Sequence, residues 1–173
     1  TVFFKGCNLR CPWCHNPENL TFAPVTAHYK ATGKTEIIGR ECDAGELLPE
    51  LLEDKDFYIR SSGGVTLSGG EVMLQADGAA RLARLLGENG VSVLIDTAGC
   101  VPYDEFKKLN GLVSGYLFDF KTADAGKYKN IGGDLETVSK NIASLLVDGM
   151  NVQIRIPLLS NLIILTLHSP CQP

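Results

Sequence analysis

Long apolar runs, an excess of positive charge and a regular cysteine ladder are all missing from this 173-residue sequence. No stretch approaches the roughly 20 apolar residues of a membrane-spanning helix, so no membrane partner is expected. Sixteen Lys and Arg against twenty Asp and Glu leave a net charge of −4, which argues against broad binding to a phosphate backbone. No nucleic-acid partner is expected. The first residues lack the basic–apolar–small order of an export signal. Repeats, low-complexity tracts and internal linkers are absent too. Six cysteines are present, but three crowd into positions 7–14 while Cys42, Cys100 and Cys171 are scattered. That is not the spacing of a disulfide scaffold, and a reducing cytoplasm with clustered thiolates ready for a metal fits better.

What is present is alternation. Val2–Lys5, Gly64–Ser68, Val91–Ile95, Tyr116–Phe120 and Val152–Ile156 read as strands, and their near-continuous apolar character predicts burial on both faces of a parallel sheet. Ala79, Leu82, Ala83, Leu85 and Leu86 form a helical stripe, stopped by Gly87 or Gly90. Leu135, Val138, Ile142, Leu145 and Leu146 form another, with Asp134 as N-cap and Gly149 beyond its end. Asp43-x-x-Glu46 resembles a capping box for a helix around Leu47–Leu52, in which Pro49 is expected to introduce a kink or delay the start. An α/β fold with parallel crossovers follows. A doubly wound sheet and a partial barrel both fit the periodicity, and both gather chemistry at the carboxyl ends of their strands. The polar residues obey that rule: Gly6-Cys7, Ser68-Gly69-Gly70-Glu71, Asp96-Thr97, Asp119 with Lys121, and Arg155 each follow or end a strand.

The sharpest chemical signal is C-x3-C-x2-C at Cys7, Cys11 and Cys14. Three thiolates on one short loop can hold three irons of a [4Fe-4S] cluster and leave the fourth free for a substrate, whereas electron-transfer clusters use four cysteines. A zinc site completed by His15 is the alternative. Because His15 directly follows Cys14, it reaches the same metal awkwardly.

The run Gly6-Cys7-Asn8-Leu9-Arg10-Cys11-Pro12-Trp13-Cys14-His15-Asn16-Pro17-Glu18 resembles the cluster loop of radical S-adenosylmethionine enzymes, and among them the glycyl-radical-enzyme activating enzymes typified by pyruvate formate-lyase activase. The likeness extends to about Leu158. It implies a partial parallel (β/α)6 barrel and a [4Fe-4S] cluster on Cys7, Cys11 and Cys14. It implies further that the cluster cleaves S-adenosylmethionine to a 5′-deoxyadenosyl radical, which installs a glycyl radical on a larger partner enzyme. That is an oxidoreductase of the [formate-C-acetyltransferase]-activating class. Trp13 matches the position beside the adenine. Gly69, Gly70 and Glu71 match the G-G-E motif, with Glu71 placed to accept a bond from the methionine ammonium and Val72 standing where the family has proline. Asp96, Thr97, Asp119 and Lys121 match D-T and D-x-K, which surround a monovalent cation and contact the ribose, and Arg155 matches the arginine that meets the methionine carboxylate or ribose. A low-potential electron donor such as flavodoxin or ferredoxin is implied.

Some features lie outside the likeness. Cys42 and Cys100 are expected to be buried, inert thiols, and His28 a surface residue. No second C-x2-C-x2-C-x3-C run marks an inserted ferredoxin-like domain. Residues 1–158 are expected to form the core domain and 159–173 an atypical tail, truncated or frame-disrupted. Since the chain opens directly on a strand without Met, it reads as a fragment. Two other readings remain: a radical enzyme of the same superfamily acting on a small molecule, and an inactive iron–sulfur or zinc-binding fragment.

Overall fold

The computed structural model describes residues 1–157; the expectation for the tail at 159–173 lies outside the described residues. Five strands form one all-parallel sheet in the order β1 (Val2–Phe4), β4 (Gly64–Gly69), β5 (Ser92–Thr97), β6 (Gly115–Asp119), β7 (Val152–Arg155). The order follows the chain without the reversal that marks a doubly wound sheet, so the partial-barrel alternative is the one adopted. Among the described residues this sheet has these five strands.

The sheet is not buried on both faces. Val65, Leu67, Val93, Ile95, Tyr116 and Phe118 are buried, while the alternate residues Thr66, Ser68, Leu94, Asp96, Leu117 and Asp119 are only half-buried. Leu94 and Leu117 make the strands look continuously apolar in sequence, yet both point to the half-open face. The covered face packs on helices α3 (Ala76–Glu88) and α6 (Leu135–Val147), through Ala79, Leu82, Ala83 and Leu86 from the first and Val138, Ile142 and Leu145 from the second. Phe106 of α4 (Tyr103–Lys107) fills the same core beside Tyr116, at 5.5 Å between ring centroids.

The caps of α6 are as expected. The Asp134 carboxylate accepts from the Thr137 N–H at 2.9 Å, and Gly149 takes the left-handed conformation (φ +73°) beyond the end. In α3 the helix runs through Gly87, and Gly90 (φ +74°) follows its end. Helix α1 (Ala44–Leu52) differs. It starts at Ala44 with no delay, accommodating Pro49 within its nine residues, and the Asp43 side chain does not cap it. That carboxylate instead meets Arg81 of α3 at 3.1 Å, a tertiary partner invisible to local pattern. Helices α2 (Lys55–Ser61) and α5 (Ala125–Asn130) are the remaining α-helices among the described residues.

An antiparallel hairpin not anticipated from the sequence, β2 (Val25–Tyr29) with β3 (Lys34–Ile38), lies between the cysteine loop and α1. Its tip uses Gly33 at φ +67°, with Thr32 and Gly33 N–H groups both donating to Tyr29 O. The Thr-Gly pair between β-branched runs was the available signal. Among the described residues no helix is long and apolar enough to cross a membrane.

Candidate functional site

Strand β1 ends at Phe4, and the chain turns at Gly6 (φ +89°) into the cysteine loop. The loop is closed at its stem. Gly6 N–H donates to Asn19 O (2.8 Å) and Thr21 O (3.1 Å), and Cys7 N–H to Leu20 O (3.3 Å). Leu9 sinks into the core and Arg10 N–H reaches Ile131 O at 2.8 Å, so both ends and the middle are held. The Arg10 guanidinium donates to the carbonyls of Cys7 and Leu9, and Leu9 N–H points at Cys7 Sγ (3.4 Å). Such a loop carries three thiols on a rigid base.

Strand β4 leads to the glycine turn. Gly70 N–H donates to Phe4 O and Glu71 N–H to Gly6 O, both at 2.8 Å, so this turn lies directly on the cysteine-loop stem. A Cβ at Gly70 would stand 2.2 Å from Gly6 O and 2.7 Å from Asn19 O. At Gly69 (φ +111°) it would meet Phe4 O at 2.4 Å. Both glycines are therefore required by backbone packing, whatever they do for a ligand.

The Glu71 side chain turns away from the cavity. Its side chain is fully buried and does not line the cavity. Oε1 accepts from Met73 N (3.0 Å) and Thr97 Oγ1 (2.6 Å), and Oε2 accepts from Ala98 N (2.9 Å) and Gly99 N (3.3 Å). Four donors of the protein occupy a carboxylate that the motif would assign to an ammonium. Burial pushes its pKa up, against the lowering by those donors.

The strand-end charges form a network. Asp119 Oδ1 accepts from Arg155 Nε (2.8 Å), Asp119 Oδ2 pairs with Lys121 Nζ (2.7 Å), and Arg155 Nη2 also pairs with Asp96 Oδ1. Ser68 Oγ donates to Asp96 Oδ2 at 2.8 Å. Register explains the meeting, since Asp96 lies opposite Leu117 and Asp119 opposite Arg155 on adjacent strands. Burial raises the Asp96 pKa, with Asp119 adding to the rise while Ser68 and Arg155 oppose it.

One cavity of about 760 Å³ gathers these pieces. Cys7, Cys11, Cys14, Trp13, Gly69, Gly70, Asp96, Thr97, Asp119, Lys121 and Arg155 all line it, so of the expected cluster and cofactor residues only Glu71 stands behind the wall. Ser68, His15 and Asn16 join the lining, flanking motifs that the sequence had already marked. Burial raises the pKa of the Cys7 and Cys11 thiols, Lys121 lowers that of Cys11, and nearby thiols add to the rise, Cys14 at Cys7 and both Cys7 and Cys14 at Cys11. Among the described residues no three Cys, His, Asp or Glu side chains are grouped to hold a single metal ion. Three soft sulfur donors on one loop, facing one cavity, fit an iron–sulfur cluster with one iron per thiolate.

Comparison with known proteins follows the same line. Residues 1–163 match the family described as the Radical SAM superfamily. The chain belongs to the radical SAM superfamily. It is 38% identical to the pyruvate formate-lyase 2-activating enzyme of Escherichia coli (strain K12), over 91% of this chain and 60% of that protein. It is 33% identical to the trans-4-hydroxy-L-proline dehydratase activating enzyme of Clostridioides difficile, over 92% of this chain and 67% of that one. A crystal structure of a domain of pyruvate-formate lyase-activating enzyme from Bacteroides vulgatus ATCC 8482 superimposes with a TM-score of 0.52 at 26% identity, covering 56% of this chain and 60% of that one. This radical SAM chain thus spans about 60% of the length of its Escherichia coli relative.

Two thiols depart from expectation. Cys42 and Cys100 are half-buried rather than buried. Cys100 Sγ accepts from Asp134 N–H (3.2 Å), and its carbonyl accepts from Asn8 (2.6 Å), which ties the loop after β5 to the cysteine loop. His28 is exposed, as expected, with Thr35 at 3.0 Å.

Proposed function

We propose that this chain is the S-adenosylmethionine-cleaving core of a glycyl-radical-enzyme activating enzyme. The observation that carries the reading is the convergence of Cys7, Cys11 and Cys14 with the Gly69-Gly70 turn and the Asp96–Asp119–Lys121–Arg155 network on one cavity. A [4Fe-4S] cluster held there and reduced by an external donor would supply the single electron that splits S-adenosylmethionine into methionine and a 5′-deoxyadenosyl radical.

The protein's part is holding and orienting. Cys7, Cys11 and Cys14 would hold three irons of the cluster, which would leave one available to S-adenosylmethionine. The bare backbone at Gly69 and Gly70 lets the ammonium come close to carbonyl oxygens, while the buried Glu71 side chain supports the turn from behind. Arg155 and Lys121 supply the positive charge for the carboxylate and ribose end, and Trp13 offers a stacking face for adenine. Asp96 and Asp119 present hard oxygens for a monovalent cation, which competes there with Arg155 and Lys121. The partner is a glycyl radical enzyme resembling those of the relatives' names, and the electron comes from a low-potential flavodoxin or ferredoxin in a reducing cytoplasm.

Anaerobic reconstitution with iron and sulfide, followed by reduction in the presence of S-adenosylmethionine, tests the reading. Deoxyadenosine together with a glycyl-radical signal on a co-incubated partner enzyme is expected. Deoxyadenosine without any such signal would favour a small-molecule substrate, and about one zinc per chain with no sulfide would overturn both.

A further inference from the structure

Asn141 lies in the middle of α6, 3% exposed, where an amide is costly to bury and a poor helix former. Its Nδ2 donates to Gly99 O and to Val101 O, each at 2.8 Å, so one side chain spans the loop that follows β5. That loop is what holds Glu71. Ala98 N and Gly99 N donate to one carboxylate oxygen, and Thr97 Oγ1 donates to the other. Gly99 leaves no slack, because at φ +70° its Cβ position is already filled by the Phe118 ring. Glu71 in turn sits on the turn whose N–H groups bind Phe4 O and Gly6 O at the cysteine-loop stem. A continuous set of bonds therefore runs from α6 through the Ala98–Val101 loop and Glu71 to the base of the thiol loop.

Neither end of this brace faces the cavity, but the residues between do: Thr97, Ala98, Gly69 and Gly70 are lining residues. We propose that Asn141 is a positioning residue for S-adenosylmethionine, acting through the Ala98–Val101 loop and Glu71 to fix the distance between the exit of β5 and the glycine turn. The proposal rests on the reading of the cavity given above. It assigns Glu71 the same positioning work, in place of contact with the ammonium.

The test uses the full chain, reconstituted anaerobically for ligand titration and metal-free for hydrogen exchange. In Asn141→Ala, iron and sulfide content stay at the wild-type level. The dissociation constant for S-adenosylmethionine rises about tenfold or more, and exchange at the Ala98 and Gly99 amides accelerates. Glu71→Gln weakens binding similarly, and the double variant is no worse than the weaker single one, because both act through one loop. Tyr103→Phe is the control. It removes another bond to the end of α6, Tyr103 Oη to Asp148 at 2.7 Å, and is expected to lower thermal stability while leaving affinity unchanged. Should Asn141→Ala not fold, Asn141→Ser replaces it, with a smaller loss of affinity expected. Unchanged affinity in a folded Asn141 variant, or losses that add in the double variant, overturn the proposal alone. A wild-type chain that assembles its cluster yet binds no S-adenosylmethionine overturns the functional reading as well.

Discussion

Cys7, Cys11 and Cys14 differ from Cys42 in surroundings more than in exposure, since all four are half-buried. The first three face the cavity beside Lys121, and Cys42 lies just before α1, away from it. Cys11→Ala is therefore expected to abolish iron and sulfide incorporation while Cys42→Ala retains it, as read by metal and sulfide analysis after reconstitution. Equal loss in both would mean the wrong thiols were chosen. Tyr116 makes a second point at this scale. Its hydroxyl is the one buried side-chain polar atom without a partner among the described residues, 1% exposed and packed on Phe106. Removing an orphaned hydroxyl removes its desolvation cost, so Tyr116→Phe is expected to stabilise the fold by about 1 kcal/mol in denaturant unfolding. A lower midpoint would show that the hydroxyl has a partner in solution.

Turns and strands place these residues, and the glycine turn is the tightest junction between elements. Gly70→Ala would force a methyl against two carbonyl oxygens of the cysteine-loop stem, and neither can yield without moving the loop. A loss of about 1–3 kcal/mol is expected, with reduced iron loading. Gly78 in α3 is the contrast, because a Cβ there meets nothing within 4 Å. Gly78→Ala should raise stability by about 0.5–1 kcal/mol through the helix propensity of alanine. A thermal melt of both variants checks the pair. Legibility divided along the same line. The Asp134 cap and most of the stripes of α3 and α6 are readable because they depend on neighbours in sequence, although Leu146, expected in the second stripe, is exposed. The Asp43 cap is not legible from local pattern, because Arg81, 38 residues away, takes its carboxylate. The β2–β3 hairpin escaped notice because only Val25, Ala27 and Ile38 are half-buried, which leaves a weak period-2 signal.

For the molecule as a whole, the parallel sheet and its helices enclose a single core that also buries two phenols. Burial pushes the Tyr128 pKa up to about 12 and that of Tyr116 higher still, against roughly 10 in an unfolded chain. Folded pKa values above the unfolded value give stability that is fully present below pH 10 and is lost as pH rises from about 10 toward 12. The melting temperature is expected to fall over that window, with part of the tyrosinate absorbance appearing only on unfolding. Full titration of the tyrosines in the folded chain near pH 10 would contradict the packing described.

By itself the sequence determined the chemistry on offer: three thiols at C-x3-C-x2-C, glycines after the second strand of the parallel sheet, and acidic and basic residues at strand ends. Those are properties of residue type and short spacing, which the chain carries without folding. Tertiary structure decided which of them face one cavity. It set Arg155 between two aspartates by strand register and turned Glu71 inward onto the loop after β5. It also left Leu94 and Leu117 on the open face. Such outcomes depend on contacts tens of residues apart, where backbone hydrogen bonds and burial choose among orientations that the local pattern leaves equal.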